Sequence, residues 1–189
     1  MSIKVTDGFT SGDDEKVVSI LDKWNGGPLS DELFTRVSKM NVLVSAICVI
    51  FRKNGENTEV LLLPRPNDDP TWPGLLNLPG KMFRPIDFER DDKNPINGPF
   101  ERIQKDELNT KFKGSPKFSG IVFQDTKRGP IVALIYNAWV SKDSESNTDW
   151  NWIDVSKLKD LKNLLDTEMS AIEKALESYS AGSNHLPSL

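Results

Sequence analysis

The spacing of apolar positions changes several times along the chain, and each change marks an element. Val17, Ile20, Leu21 and Trp24 recur three and four apart, which predicts a short helix stopped by Asn25-Gly26-Gly27-Pro28. Ser30 can cap a second helix, with Asp31 and Glu32 in its first turn and Leu33, Val37 and Met40 as its stripe. Residues 42–53 are mostly apolar and rich in Val and Ile, as expected of a strand buried on both faces. Asn54-Gly55 turns the chain, and Glu59 to Leu63 return as the second strand of a hairpin. Residues 64–85 are too rich in proline for a regular helix or central strand, yet carry Trp72 and several leucines. A long irregular loop with its own apolar anchors usually carries function. The polar run 87–98 predicts an exposed insertion, and Pro99 opens a helix running to about Lys111. Strands follow at 117–124 and 130–140, turned by Lys127-Arg128-Gly129, and then a short one at 149–153. A short helix is expected near 155–158. Leu161, Leu165, Met169, Ile172, Leu176 and Tyr179 make the stripe of a final helix.

This order of elements predicts an α+β domain with helices packed on sheet faces. It divides into a leader and helical extension at 1–40, a main domain at 41–180 and a flexible tail at 181–189. The extension either packs on the main domain or serves as a dimerisation element of a homodimer. Apolar residues make up 37% of the chain, enough to build a core. The net charge of −4 argues against a general affinity for nucleic acid. No apolar run approaches the roughly 18–20 residues that span a bilayer, so no membrane partner is expected. The opening residues have no apolar signal core, which points to the cytoplasm.

Two counts narrow the chemistry. The one cysteine, Cys48, lies inside the first strand, reads as a small buried hydrophobe and excludes a disulfide framework. The one histidine, His185, sits in a Ser/Gly/Asn/Pro tail. Ser-His-Asp machinery and multi-histidine metal sites are therefore set aside, and catalysis would fall to carboxylates. With about 100° per residue along the helix at 99–112, Phe100, Ile103, Leu108 and Phe112 define an apolar sector. Glu107 falls inside that sector and Asp106 near its edge. A carboxylate facing a core must meet a cation, join a network or take up a proton. A metal ion, Arg65 and Lys81 are the candidate partners, and an alternative is that Glu107 reaches round to solvent.

At these residues the sequence resembles the Nudix hydrolase family. The family's box runs Gly, five residues, Glu, seven residues, then Arg-Glu-apolar-any-Glu-Glu-any-Gly-apolar, after a strand and a Leu-Pro-Gly-Gly entry. Here Leu78-Pro79-Gly80-Lys81 matches the entry, with Lys81 at the first glycine of the box. Asp87 falls where the first glutamate belongs, a longer spacer (88–101) follows, and Arg102-Ile103-Gln104-Lys105-Asp106-Glu107-Leu108-Asn109 matches the helical part. Ile103 replaces one helical glutamate, and Asn109 replaces the closing glycine, whose left-handed backbone asparagine tolerates. The helix is also similar to that of the GDP-mannose mannosyl hydrolase branch, which lacks the same glutamate. The branch's catalytic histidine and glutamine ligand fall near Asn147 and Ser146 here.

The resemblance implies a Nudix-type α/β/α sandwich with a mixed sheet over about residues 42–178. It implies a hydrolase acting on a nucleoside diphosphate linked to another moiety, such as a nucleotide sugar, with Mg2+ or Mn2+ held by Gly80, Asp106 and Glu107. Hard cations of this kind prefer oxygen ligands. Arg65 would steady the departing phosphates, and Glu107, Arg65 and a carboxylate base at Asp149 would form the catalytic set, with Glu145 and Asp87 as other base candidates. Trp72, Lys81 and Arg84 would complete substrate binding, each with an ordinary alternative as loop anchor or solvated cation. The competing expectation is a Nudix-fold module that senses a nucleotide or a protein partner without turnover.

Overall fold

The computed structural model describes residues 11–23, 29–91, 93–146 and 150–182. The sequence expectations for the leader up to residue 10, for Trp24 and the stop at 25–28, for Asp149 and for the tail from 183 onward with His185 lie outside the described residues.

β1 (Leu43–Asn54) carries the longest apolar run because it lies in the middle of the sheet. Its partner β2 (Asn57–Pro64) returns antiparallel, in register from Phe51↔Val60 to Asn54↔Asn57. On its other side β6 (Gly129–Ala138) runs parallel, from Leu43↔Ile131 to Ile50↔Ala138. β5 (Lys117–Thr126) closes that edge, and β3 (Leu76–Asn77) closes the edge beyond β2. β4 (Gly80–Met82) also pairs with β1, and β7 (Asn151–Asp154) with β2, so the sheet is mixed and has seven strands. One face packs Ile47, Val49, Val60, Leu62 and Ile135 against Ala171, Ile172 and Ala175 of α5 (Glu168–Gly182). The opposite face packs Ala46, Cys48, Ile50 and Leu61 against Phe100, Ile103 and Leu108. Cys48 is fully buried, as its place in β1 implied. Each large side chain so buried contributes roughly 1.5–3 kcal/mol. This is the α/β/α sandwich with helices on both faces.

Of the N-terminal helices, α2 (Asp31–Met40) is capped by Ser30, whose side chain accepts the Leu33 N–H. It packs on the turn into β6 so closely that a Cβ on Gly129 would lie 2.5 Å from the Ser38 carbonyl. α1 (Ser11–Leu21) leaves Val17, Val18 and Ile20 exposed, so these three apolar positions are not buried on the domain.

Three expectations need correction. The run at 87–98 is not wholly exposed: it follows from α3 (Pro85–Arg90), whose Asp87 is buried. The next helix, α4 (Asn97–Arg102), does not continue as an α-helix but widens into a π-helical turn over Ile103–Leu108. Ile103 and Leu108 are five residues apart, which an α-helix would rotate about 140° from each other. The wider turn lets both enter the core, at 0% and 1% exposure. It ends on Asn109, at φ 49° and ψ 31°, whose N–H donates to the Gln104 carbonyl. Lastly, α5 starts at Glu168 rather than near Leu161. The preceding residues instead dock on β3, with Leu76 donating to the Asn163 carbonyl and Leu165 to that of Leu76.

Candidate functional site

The site forms where β4 meets the π-turn. Cys48 N–H donates to the Pro79 carbonyl and Phe83 N–H to that of Val44, so the ladder bonds to β1 skip Gly80. In an antiparallel pair such a skipped residue turns its own N–H away from the neighbouring strand. The Gly80 N–H there meets Glu107, donating to Oε2 at 2.8 Å. The Lys81 ammonium meets the other oxygen, with Nζ 2.9 Å from Oε1. Side-chain exposures of 26% for Lys81 and 19% for Glu107 keep the pair within reach of solvent rather than in the deep core. Burial raises the Glu107 carboxyl above its ordinary range, and Lys81, the Gly80 N–H and the charge of Arg65 pull it back. Of the partners the helical spacing allowed, the lysine is the one in contact.

Arg65 leaves the end of β2 and is itself held. It donates to Asp69 through Nε at 3.1 Å and through its Nη2, and its guanidinium lies 5.3 Å from the centre of the Trp72 ring. Arg128 from the β5–β6 turn approaches the same ring at 4.8 Å and pairs with Asp69 at 3.4 Å. Thr71 and Trp72 N–H groups also donate to Asp69. Against the cost of burial, those donors and Arg65 hold the Asp69 carboxyl down at about 2. Trp72 is therefore flanked by two arginines that anchor the loop.

Glu168, which the sequence reading did not single out, opens α5 on the other face of the sheet and is 5% exposed. Burial pushes its carboxyl up to about 8, opposed by the Leu78 N–H and the charge of Arg65 and reinforced by Glu107. Its Oε2 has no hydrogen-bond partner among the described residues. The signal was present in the sequence. Glu168 falls in line with Ala171, Ile172 and Ala175 on the buried stripe of α5, where a charged residue breaks the pattern.

Asp87 and Arg102 form a second, structural centre. Arg102 holds Asp87 through Nη1–Oδ1 at 2.5 Å and Nη2–Oδ2 at 2.8 Å, and Nη2 also donates to the Met82 carbonyl at 2.9 Å. Asp87 caps its own helix by accepting the Arg84 N–H at 2.8 Å. The box's first acidic position and its arginine thus pair across the lengthened spacer. Asp87 is spent on this pair, which removes it as a base.

Asp106, exposed on the π-turn, and Arg84, exposed beside Asp87, do not join the cluster, and Asp149 lies outside the described residues. These donors do not fit the metal site that the resemblance implied. Glu107 already has a cation and an N–H on its two oxygens, and among the described residues no group of three or more His, Cys, Asp or Glu side chains could hold an ion.

No family model and no curated protein matches the chain. Solved structures do. Shewanella oneidensis NrtR superposes with a TM-score of 0.58 at 20% identity over 75% of this chain, and this chain covers 65% of NrtR, under two thirds of its length. NrtR was also solved complexed with a 27mer DNA. Its NUDIX domain complexed with ADP ribose superposes at 0.57, with 19% identity over 80% of this chain and 99% of that one. The C. elegans Ap4A hydrolase superposes at 0.53, with 19% identity over 74% and 99%. The chain has the Nudix fold.

Proposed function

We propose that this Nudix-fold protein is a hydrolase of nucleoside diphosphate derivatives, with its chemistry at the Gly80–Lys81–Glu107 cluster. The observation that carries this reading is the Glu107 carboxylate, turned inward onto the Pro79–Gly80 bend instead of into solvent. A largely buried glutamate with a raised pKa is suited to take the proton of an attacking water as its oxygen bonds to phosphorus and the P–O bond to the departing phosphate breaks, leaving negative charge on that oxygen. Lys81 supplies positive charge beside it, and Arg65 adds a second cation at the end of β2. One solved neighbour is complexed with ADP ribose and another is an Ap4A hydrolase, both nucleotides with phosphoanhydride links, which fits the same ligand class. A nucleotide sugar is included in that class. The donor set gives Mg2+ no role in this reading, so metal enters as a variable of the test. The described residues contain no helix long and apolar enough to cross a membrane, and we place the activity in the cytoplasm.

The test is product analysis by anion-exchange chromatography for ADP ribose, Ap4A and GDP-mannose, each in Mg2+, in Mn2+ and in EDTA. Turnover of at least one, reduced about 100-fold or more in Glu107→Gln, is expected. No turnover across the panel, or full turnover in Glu107→Gln, refutes the assignment. A duplex DNA is included because NrtR was solved with DNA, and the net charge of −4 predicts no binding.

The ion pair between Lys81 and Glu107 favours a second reading, a sensing module without turnover, because a carboxylate already neutralised is a weaker base. Its signature is thermal stabilisation by a ligand, about 2.7 kcal/mol at 100 times the dissociation constant, with no product formed.

A further inference from the structure

The resemblance calls for a divalent cation beside Glu107, and the structure puts a lysine there. We propose that the Lys81 ammonium is a tethered cation in place of the metal charge, so that phosphate groups bind at this site without a divalent ion. The inference rests on the site reading above and concerns what neutralises the ligand.

Three observations converge on it. Lys81 sits on β4 at the position where the family's box has glycine, so its side chain is an addition to the bend. Its Nζ lies 2.9 Å from Glu107 Oε1 while the Gly80 N–H takes Oε2, so both carboxylate oxygens are engaged. An ammonium carries three donors, and the bond to Glu107 uses one, which leaves two for phosphate oxygens at a side chain still 26% exposed. A divalent ion binding Glu107 would have to displace the ammonium or sit against it, with like charges at a partly desolvated position. Such ions also prefer several hard oxygen ligands, and the exposed Asp106 does not join Glu107 in supplying them. The neighbouring charges support an anionic ligand. The charge of Arg65 also reaches Glu107, so a second cation acts on the same carboxylate in a chain whose overall charge is −4.

The test has a ligand arm and a metal arm, both on the full chain. In the first, calorimetric titration measures ADP and inorganic pyrophosphate binding in Mg2+ and in EDTA. The wild type is expected to bind equally in both. Lys81→Gly, which restores the family's residue, is expected to lose about tenfold or more in EDTA and to regain part of it in Mg2+. Lys81→Arg, which keeps the charge, is expected to stay indifferent to metal and guards against a folding defect in the glycine variant. In the second arm, Mn2+ alone is titrated with detection by electron paramagnetic resonance. The wild type is expected to leave Mn2+ free; binding gained in Lys81→Gly is expected to be weak, since Glu107 is the one carboxylate there, and to be lost again in Lys81→Gly combined with Glu107→Gln. Wild-type binding that needs Mg2+, or Mn2+ bound by the wild type through Glu107, overturns the proposal while leaving the ligand class intact. ADP and pyrophosphate failing to bind under any condition overturns the site reading as well, and the Mn2+ arm alone then shows whether Lys81 blocks the ion.

Discussion

Removing the Arg102 guanidinium tests whether the two halves of the interrupted box are held together by one buried ion pair. Asp87 has no exposed side-chain surface and Arg102 has 16%. In Arg102→Met the Asp87 carboxylate keeps its bond from the Arg84 N–H and loses both guanidinium bonds. Breaking one side of such a buried pair costs about 3–5 kcal/mol, because the other charge is left uncompensated. At about 2–4 °C per kcal/mol for a chain of this size, the melting temperature should fall by roughly 6–20 °C. The pH dependence has a definite sign. Against the cost of burial, Arg102 and the Arg84 N–H hold the Asp87 carboxyl below its ordinary value. The pair's stabilisation is therefore complete above the unfolded value of about 3.9 and is lost as pH falls through the depressed folded value. The deficit of Arg102→Met should be full at pH 7 and shrink below about pH 4. Urea denaturation of the wild type, Arg102→Met, Asp87→Leu and the double variant closes the cycle. The double variant should recover much of the loss, since replacing both partners by apolar groups is often near neutral. A single-variant loss under about 1 kcal/mol at pH 7, or a coupling under about 0.5 kcal/mol, refutes the reasoning.

Gly98→Ala gives a sign test of the same packing. Helix propensity alone would make it stabilising by up to about 1 kcal/mol, but the new Cβ would lie 2.1 Å from Asp87 Oδ1, so calorimetry should show a loss of about 1–3 kcal/mol. Glu168→Gln should flatten the stability–pH curve. A folded pKa of about 8 against an unfolded value near 4.3 means the folded state holds the proton, so wild-type stability falls as pH rises between those values by roughly 5 kcal/mol in all. Chemical denaturation at pH 5 and pH 8 measures it, and equal slopes for the variant and wild type would count against a buried protonated glutamate. Asn109→Gly should be tolerated, whereas Asn109→Ile should cost about 1–3 kcal/mol by thermal melting, because φ of 49° strains a β-branched residue.

Most of the sheet was legible because its signals are local. The unbroken apolar run of β1 follows from burial on both faces, and Asn54-Gly55 supplies a turn with Gly55 at φ 61°. The π-turn was not legible, since a fixed 100° per residue cannot anticipate a helix that widens to bring Ile103 and Leu108 inward together. The inward set of Glu107 was readable all the same, because on the helix it falls between Ile103 and Phe100, both core residues. The late start of α5 was hidden because Leu164 and Leu165 bury themselves equally well when docked on β3. Asp87 looked solvated because nine polar or turn-forming residues among 88–98 outweigh one long-range arginine in any local window.

The two centres of the box are coupled through backbone. Arg102 is bound to the Met82 carbonyl as well as to Asp87, and Met82 is the last residue of β4. The strand that carries Gly80 and Lys81 is thus fastened at one end by Arg102 and along its length by β1. One turn further on, the same helix delivers Glu107 to Gly80 and Lys81. A spacer between Asp87 and Arg102 can therefore lengthen without moving the cluster, because the pair re-forms across it and sets the helix against β4. The residues that changed most from the box, Ile103 and Lys81, act on either side of this clamp. Ile103 gives a carboxylate position to the core, and Lys81 adds a cation beside the carboxylate that remains. Both substitutions move the site in one direction, toward fewer acidic ligands and more fixed positive charge.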